Sequence, residues 1–101
     1  MSPQGSVGLL SALARLRDTL DQKPLQYAHV LVLVANLDGI SFKKVGVLTD
    51  LSKSTVSRIV DWFVEQGLMT AYEIPGDRRN KAASLTQKGR EIVEKASKAC
   101  R

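Results

Sequence analysis

The residues best suited to chemistry are small hydroxyl and basic side chains that cluster from Leu51 to Arg58, in the order Leu-Ser-Lys-Ser-Thr-Val-Ser-Arg. Ser52 is a typical helix N-cap, and apolar residues recur behind it at helical spacing from Val56 to Phe63. The other face of this predicted helix, Lys53 to Gln66, suits the DNA major groove, which is about 12 Å wide. An ordinary helix start with solvated cations is the alternative. The predicted DNA contacts here are Ser52, Lys53, Ser54, Thr55, Ser57 and Arg58.

A second basic cluster lies in the segment Pro75-Gly76-Asp77-Arg78-Arg79-Asn80, which is dense in turn-forming residues. Strand candidates at residues 68–74 and 81–85 flank it, so the sequence predicts a β-hairpin with a basic turn. Arginines on such a turn can enter the minor groove, where narrow A·T-rich stretches concentrate negative potential. The predicted contacts of this hairpin are Arg78, Arg79 and Lys81. Trp62 is expected to pack against the hairpin, with stacking on a base as the alternative.

A short helix is predicted before the hydroxyl-rich one. Ser41 is expected to cap it, and it runs from Phe42 to about Leu48 after a short strand at Ile40. Lys43 and Lys44 face outward on this helix and are predicted DNA contacts, since the first helix of a helix-turn-helix crosses the DNA backbone. The order is therefore helix, turn, helix and basic hairpin, which is a winged helix-turn-helix.

Three further helices are predicted around this motif. Leucines spaced four, three and four apart indicate a helix from about Ser6 to Leu20. Pro24 starts a helix from Leu25 to Leu37, whose β-branched middle could alternatively form a buried strand. That helix is apolar on all sides and should be covered on all sides. Thr86 caps a last helix, from Gln87 to about Ala99.

Apolar stripes on the first and last helices are left over once one small core is closed, and this predicts a homodimer. The predicted dimerisation residues are Leu9, Leu13, Leu16, Leu20, Ile92, Val93 and Ala96.

Composition narrows the function classes. A chain of 101 residues fits one domain, and its net charge of +5 falls wholly in residues 41–101, because residues 1–40 carry equal numbers of acidic and basic side chains. The net charge alone does not show that the protein binds DNA, since ordinary protein surfaces also carry lysine. One cysteine and one histidine offer no disulfide, no metal site and no catalytic triad, so we expect no cofactor and no enzyme. No secretory signal or membrane span is evident, which predicts a cytoplasmic protein without membrane contact.

The residue order resembles the multiple-antibiotic-resistance regulator (MarR) family from about Leu25 to Val93. The resemblance rests on Leu51 to Asp61, on Gln66-Gly67-Leu68, and on Asp77-Arg78-Arg79 followed by Leu85-Thr86 and Gly89-Arg90. It implies that the helix after Ser52 is the recognition helix and that Arg79, in the family's Asp-x-Arg wing pattern, is a minor-groove arginine. Family members usually continue through long C-terminal helices that build the dimer and often enclose a ligand pocket. This chain ends at Arg101, so sensing of a small-molecule effector is left open.

The predicted fold is therefore α+β and mainly α: a winged helix-turn-helix with a small β-hairpin wing and flanking terminal helices. Residues 1–24 and 87–101 are assigned to dimerisation, and residues 25–86 to DNA binding. The predicted function is a sequence-specific regulator of transcription that binds double-stranded DNA as a homodimer. Two alternatives remain: a winged helix that docks an acidic protein surface, and a replication or partition protein with the same DNA chemistry.

Overall fold

The computed structural model describes residues 23–99, which form four helices and a three-stranded antiparallel sheet. The helices are α1 (Leu25–Asn36), α2 (Phe42–Thr49), α3 (Lys53–Glu65) and α4 (Gln87–Ala99). The strands are β1 (Ile40–Ser41), β2 (Met69–Ile74) and β3 (Asp77–Leu85). The α+β, mainly helical class is confirmed, and the helix ends lie within one residue of the predicted ones. The helix predicted for residues 6–20, with Leu9, Leu13, Leu16 and Leu20, lies outside the described residues.

Three helices begin at the hydroxyl side chains that the sequence indicates. The Ser41 Oγ accepts a hydrogen bond from the Lys44 backbone N–H at 3.1 Å, at the start of α2. Thr86 Oγ1 accepts one from the Gly89 N–H at 3.0 Å and donates to the Gly67 carbonyl at 2.7 Å. Ser52 caps α3 in the same way. Each cap satisfies an N–H that the first helical turn leaves without an intrahelical partner.

The sheet ties the hairpin to the helices. Its strand order is β1-β3-β2, with Ile40 opposite Ala83 and Met69 opposite Leu85. Strand β3 begins at Asp77, so the expected turn over residues 75–80 is too long and the expected strand over 81–85 too short. The observed turn is Pro75-Gly76, closed by Ile74 opposite Asp77, and Gly76 has a φ of +85°. Proline followed by glycine at positive φ suits a type II turn, and two residues are enough to reverse the chain.

The core forms between the buried face of α3, the sheet and one face of α1. The four predicted core residues of α3 are buried, as are Val30, Leu31 and Val34 of α1. Within the described part of a single chain, the expectation that α1 is covered on all sides is not met, because Leu25 is 84% exposed and Val32 is 54% exposed. Among the described elements, helix α1 packs on α2, α3 and β3. The α3 core residues are Val56, Ile59, Val60 and Phe63.

Trp62 lies against α1. Its ring meets that of Tyr27 edge-on, with the centroids 5.5 Å apart, and the Lys23 ammonium lies 5.4 Å from the Tyr27 centroid and 5.5 Å from the Trp62 centroid. Phe63 is its other aromatic neighbour, at 4.9 Å. The aromatic partners of Trp62 thus belong to α1 and α3, which the expectation of packing against the wing did not include. The contacts instead fix the angle between these two helices.

Helix α4 docks closely on the segment between α3 and β2. The Thr86 N–H donates to the Leu68 carbonyl at 3.0 Å, and a Cβ placed on Gly89 would overlap that same carbonyl oxygen. Ile92 is 2% exposed and belongs to the core, and Val93 packs against it. Two of the predicted dimerisation residues of α4 thus also belong to the core of the chain or pack against it. The role of Ile92, Val93 and half-buried Ala96 in dimerisation stays a prediction.

Within residues 23–99, no helix is both long and apolar enough to cross a membrane.

Candidate nucleic-acid interface

The first turn of α3 is organised by hydroxyl groups. The Ser52 Oγ accepts a hydrogen bond from the Thr55 N–H at 3.2 Å and donates to the Thr55 Oγ1 at 2.8 Å. The Ser54 Oγ lies 3.2 Å from the Ser52 Oγ, and the Arg58 Nη2 donates to the Thr55 Oγ1 at 3.5 Å. The hydroxyls of Ser52 and Thr55 are therefore used to build the turn, while exposed Ser54 stands at its edge.

The outward face of α3 has opposite charges at its two ends. Lys53, Ser54 and Arg58 are exposed in its first half, and Ser57 is half-buried between them. Exposed Asp61 and Glu65 follow in its second half. A helix N-terminus already carries a partial positive charge from the aligned peptide dipoles, and the two cations add to it. A polyanion is thus attracted to the beginning of α3 and repelled from its end.

The wing places its cations on β3 and not on a loop. Arg78, Arg79 and Lys81 are all exposed. Lys81 lies directly opposite Glu73 in the ladder, where side chains of neighbouring strands stand close together. A carboxylate therefore partly offsets the charge of Lys81. Arg78 and Arg79 are left as the strongest basic pair of the wing.

An irregularity in the hairpin displaces these arginines from the regular ladder. Glu73 is opposite Lys81, but the next residue of β2, Ile74, is opposite Asp77, so residues 78–80 have no partners in the register. Extra residues of this kind bend a strand and change the direction of its side chains. The turn-forming residues of the sequence indicated an irregular segment, although not a bulge within a strand.

The structure brings the wing and the start of α3 together. The Lys53 ammonium donates a hydrogen bond to the backbone carbonyl of Arg79 at 3.2 Å. Two predicted contact regions that lie 26 positions apart in the chain are therefore adjacent in space. Lys43 and Lys44 are exposed on the first turn of α2, which packs against α3.

Tyr72 makes a contact at the base of the wing that the sequence did not indicate. Its hydroxyl lies 3.4 Å from the Ser84 Oγ and next to Gly39, where an added Cβ would be 3.1 Å from it. Ala82, which lies opposite Tyr72 in the β2–β3 ladder, is 2% exposed. Gly39 has a φ of +77°, and its N–H donates to the Ala83 carbonyl at 3.1 Å. The base of the wing is thus held against the loop between α1 and β1. In the sequence, the turn-forming pair Asp38-Gly39 is the feature that indicates this loop.

A model of the MarR family matches residues 23–80, which is more than half of the chain. The chain belongs to the MarR family. The matched range runs from the start of α1 through α3 and β2 to the bulge that carries Arg78 and Arg79. The family is one of transcriptional regulators, so the resemblance inferred from the α3 and wing motifs is confirmed.

Relatives and solved structures agree with this assignment. YhbI, an HTH-type transcriptional regulator of Bacillus subtilis (strain 168), is 37% identical over 54 residues, which are 54% of this chain and 35% of YhbI. A MarR-family transcriptional regulator from Rhodococcus sp. RHA1 is 25% identical with a TM-score of 0.68, covering 94% of this chain and 66% of that one. MepR of S. aureus, in a structure of its complex with DNA, is 18% identical with a TM-score of 0.70, covering 94% of this chain and 78% of that one. The match with YhbI thus spans about a third of that regulator, and the match with the Rhodococcus regulator just under two thirds.

Proposed function

We propose that the chain binds double-stranded DNA sequence-specifically as a homodimer and regulates transcription by occupying an operator. The observation that carries this proposal is the hydrogen bond from Lys53 to the Arg79 carbonyl, which joins the exposed start of α3 to the basic part of the wing. For a helix to enter the major groove while the wing enters the adjacent minor groove, both must lie on the same side of the protein. Adjacency of these two regions meets that requirement.

The side chains in this region suit the two grooves differently. Ser54 and Ser57 are small, so the backbone of α3 can approach base edges closely, and the Arg58 guanidinium can bond a guanine in two places. Arg79 reaches a groove whose hydrogen-bonding pattern is degenerate, where it responds to width and potential. Lys43 and Lys44 suit phosphate oxygens, which fix register without reading sequence. The structure of MepR in complex with DNA is that of a protein of this fold bound to DNA, and this supports the proposal.

Selection of bound sequences from a random duplex pool tests the function. The full chain is incubated with the pool at about 0.15 M salt, and bound duplexes are amplified and sequenced. We expect a palindromic motif with half-sites about 10 bp apart, because a two-fold dimer presents two recognition helices about one helical turn apart. The Arg58→Glu variant, carried through the same rounds, should enrich no motif.

Two results would contradict the proposal. A single asymmetric motif would overturn the homodimer. No enrichment with the wild-type chain would overturn sequence-specific recognition and favour the winged helix that docks an acidic protein surface.

A further inference from the structure

Lys53 occupies a position that differs from the other cations of the interface. It is the first residue of α3, and its ammonium Nζ lies 3.2 Å from the Arg79 carbonyl oxygen of the wing. Arg58 bonds within its own helix, to the Thr55 hydroxyl. Lys53 is thus a cation of the recognition helix with a hydrogen bond to the wing backbone.

The carbonyl that Lys53 contacts lies in the bulge. Residues 78–80 have no partners in the register of β2 and β3, so the regular ladder does not fix this part of the wing. A two-stranded hairpin is marginally stable by itself in water, and a bulge loosens its register further. A charged donor from α3 supplies a constraint at the point where the sheet supplies least.

We propose that Lys53 is a positioning residue: its hydrogen bond holds the wing so that the Arg79 side chain and α3 enter neighbouring grooves together. This inference rests on the proposed function and revises the expectation that Lys53 itself contacts DNA. A wing that is already held in place loses less conformational freedom on binding, which raises affinity without a new DNA contact. The role needs both the length of the lysine side chain and its donor.

A double-mutant cycle separates positioning from direct contact. Lys53→Met should weaken binding of the selected duplex about 10-fold in the wild-type background and less than about twofold in an Arg79→Met background, since the positioned side chain is then gone. Lys44→Met is the matched control, because it removes an exposed lysine from the neighbouring helix. It should weaken duplex binding by the same factor in the wild-type and Arg79→Met backgrounds. Lys53→Arg, which keeps a charged donor, should bind within about threefold of wild type. Melting temperatures check that every variant is folded.

The hydrogen bond can also be measured without DNA. In the isotope-labelled chain, Lys53→Met should shift the Arg79 carbonyl ¹³C resonance, while Lys44→Met leaves it unchanged. An unmoved Arg79 resonance would overturn the inference. If Lys53→Met weakens duplex binding by the same factor in the wild-type and Arg79→Met backgrounds, the inference is overturned while the proposed function stays intact. If the wild-type chain binds no duplex at all, the proposed function fails and the inference fails with it, whatever the carbonyl resonance shows.

Discussion

Replacing Arg58 with methionine is expected to weaken binding of the selected duplex about 10- to 100-fold and binding of a scrambled duplex only a few-fold. Arg58 is exposed on the outward face of α3, and its Nη2 donates to the Thr55 Oγ1 at 3.5 Å. A two-point contact with a guanine contributes about 1–3 kcal/mol of discrimination against the wrong base. Methionine keeps the apolar stem and removes the charge and the donors. Fluorescence anisotropy with both duplexes, at several salt concentrations, measures the two effects.

Arg90→Met is the matched control for this prediction. Arg90 is also an exposed helical arginine, but it lies on α4, whose start is bonded to the segment after the end of α3. We expect it to change both affinities by less than about twofold. Arg79→Met should behave in a third way, weakening both duplexes by a similar factor and lowering the salt slope by about one unit. If Arg58→Met weakens both duplexes equally, the assignment of α3 to base reading is wrong.

Gly89→Ala is expected to lower the free energy of unfolding by about 1–3 kcal/mol, as overpacking does. The new methyl group would overlap the Leu68 carbonyl oxygen, which also accepts the Thr86 N–H, so the start of α4 must move and this hydrogen bond must lengthen. Helix propensity alone gives the opposite sign, because alanine favours a helix over glycine by about 1 kcal/mol. Urea denaturation followed by circular dichroism decides between the two signs.

Lys88→Ala provides the baseline for that measurement, since Lys88 is the exposed neighbour of Gly89 in the first turn of α4. Its unfolding free energy should stay within about 0.5 kcal/mol of wild type. A Gly89→Ala chain that is as stable as wild type, or more stable, would show that α4 does not dock on Leu68 in solution as the structure has it.

The features predicted correctly from the sequence are those with local causes. A hydroxyl side chain that caps a helix acts three residues ahead of itself, so Ser41, Ser52 and Thr86 could each be identified from neighbouring residues. The buried face of α3 follows in the same way from the spacing of Val56, Ile59, Val60 and Phe63. Helix starts, core positions and the order of elements are all of this kind.

The features missed depend on residues far apart in the chain. Trp62 packs on Tyr27, 35 positions earlier, and nothing near either residue indicates the pair. The turn of the wing is predicted too long from the sequence because residues 75–80 are all compatible with turns, whereas the pairing of Ile74 with Asp77 leaves only Pro75 and Gly76 in the turn. The bond from Lys53 to Arg79 depends on that bulge and on the docking of the sheet. The predicted DNA contacts other than Lys53 stay predictions, and so do the dimer residues.

The central claim is that α3 and the wing read DNA sequence and do not simply attract a polyanion through the net charge of +5. The most direct test is the ratio of the wild-type chain's affinities for the selected duplex and for a scrambled duplex of the same composition, measured at about 0.15 M salt. We expect a ratio of about 1,000 or more, as is typical of specific DNA-binding proteins. A ratio within about threefold of one would mean that charge alone accounts for the binding, and it would contradict the account.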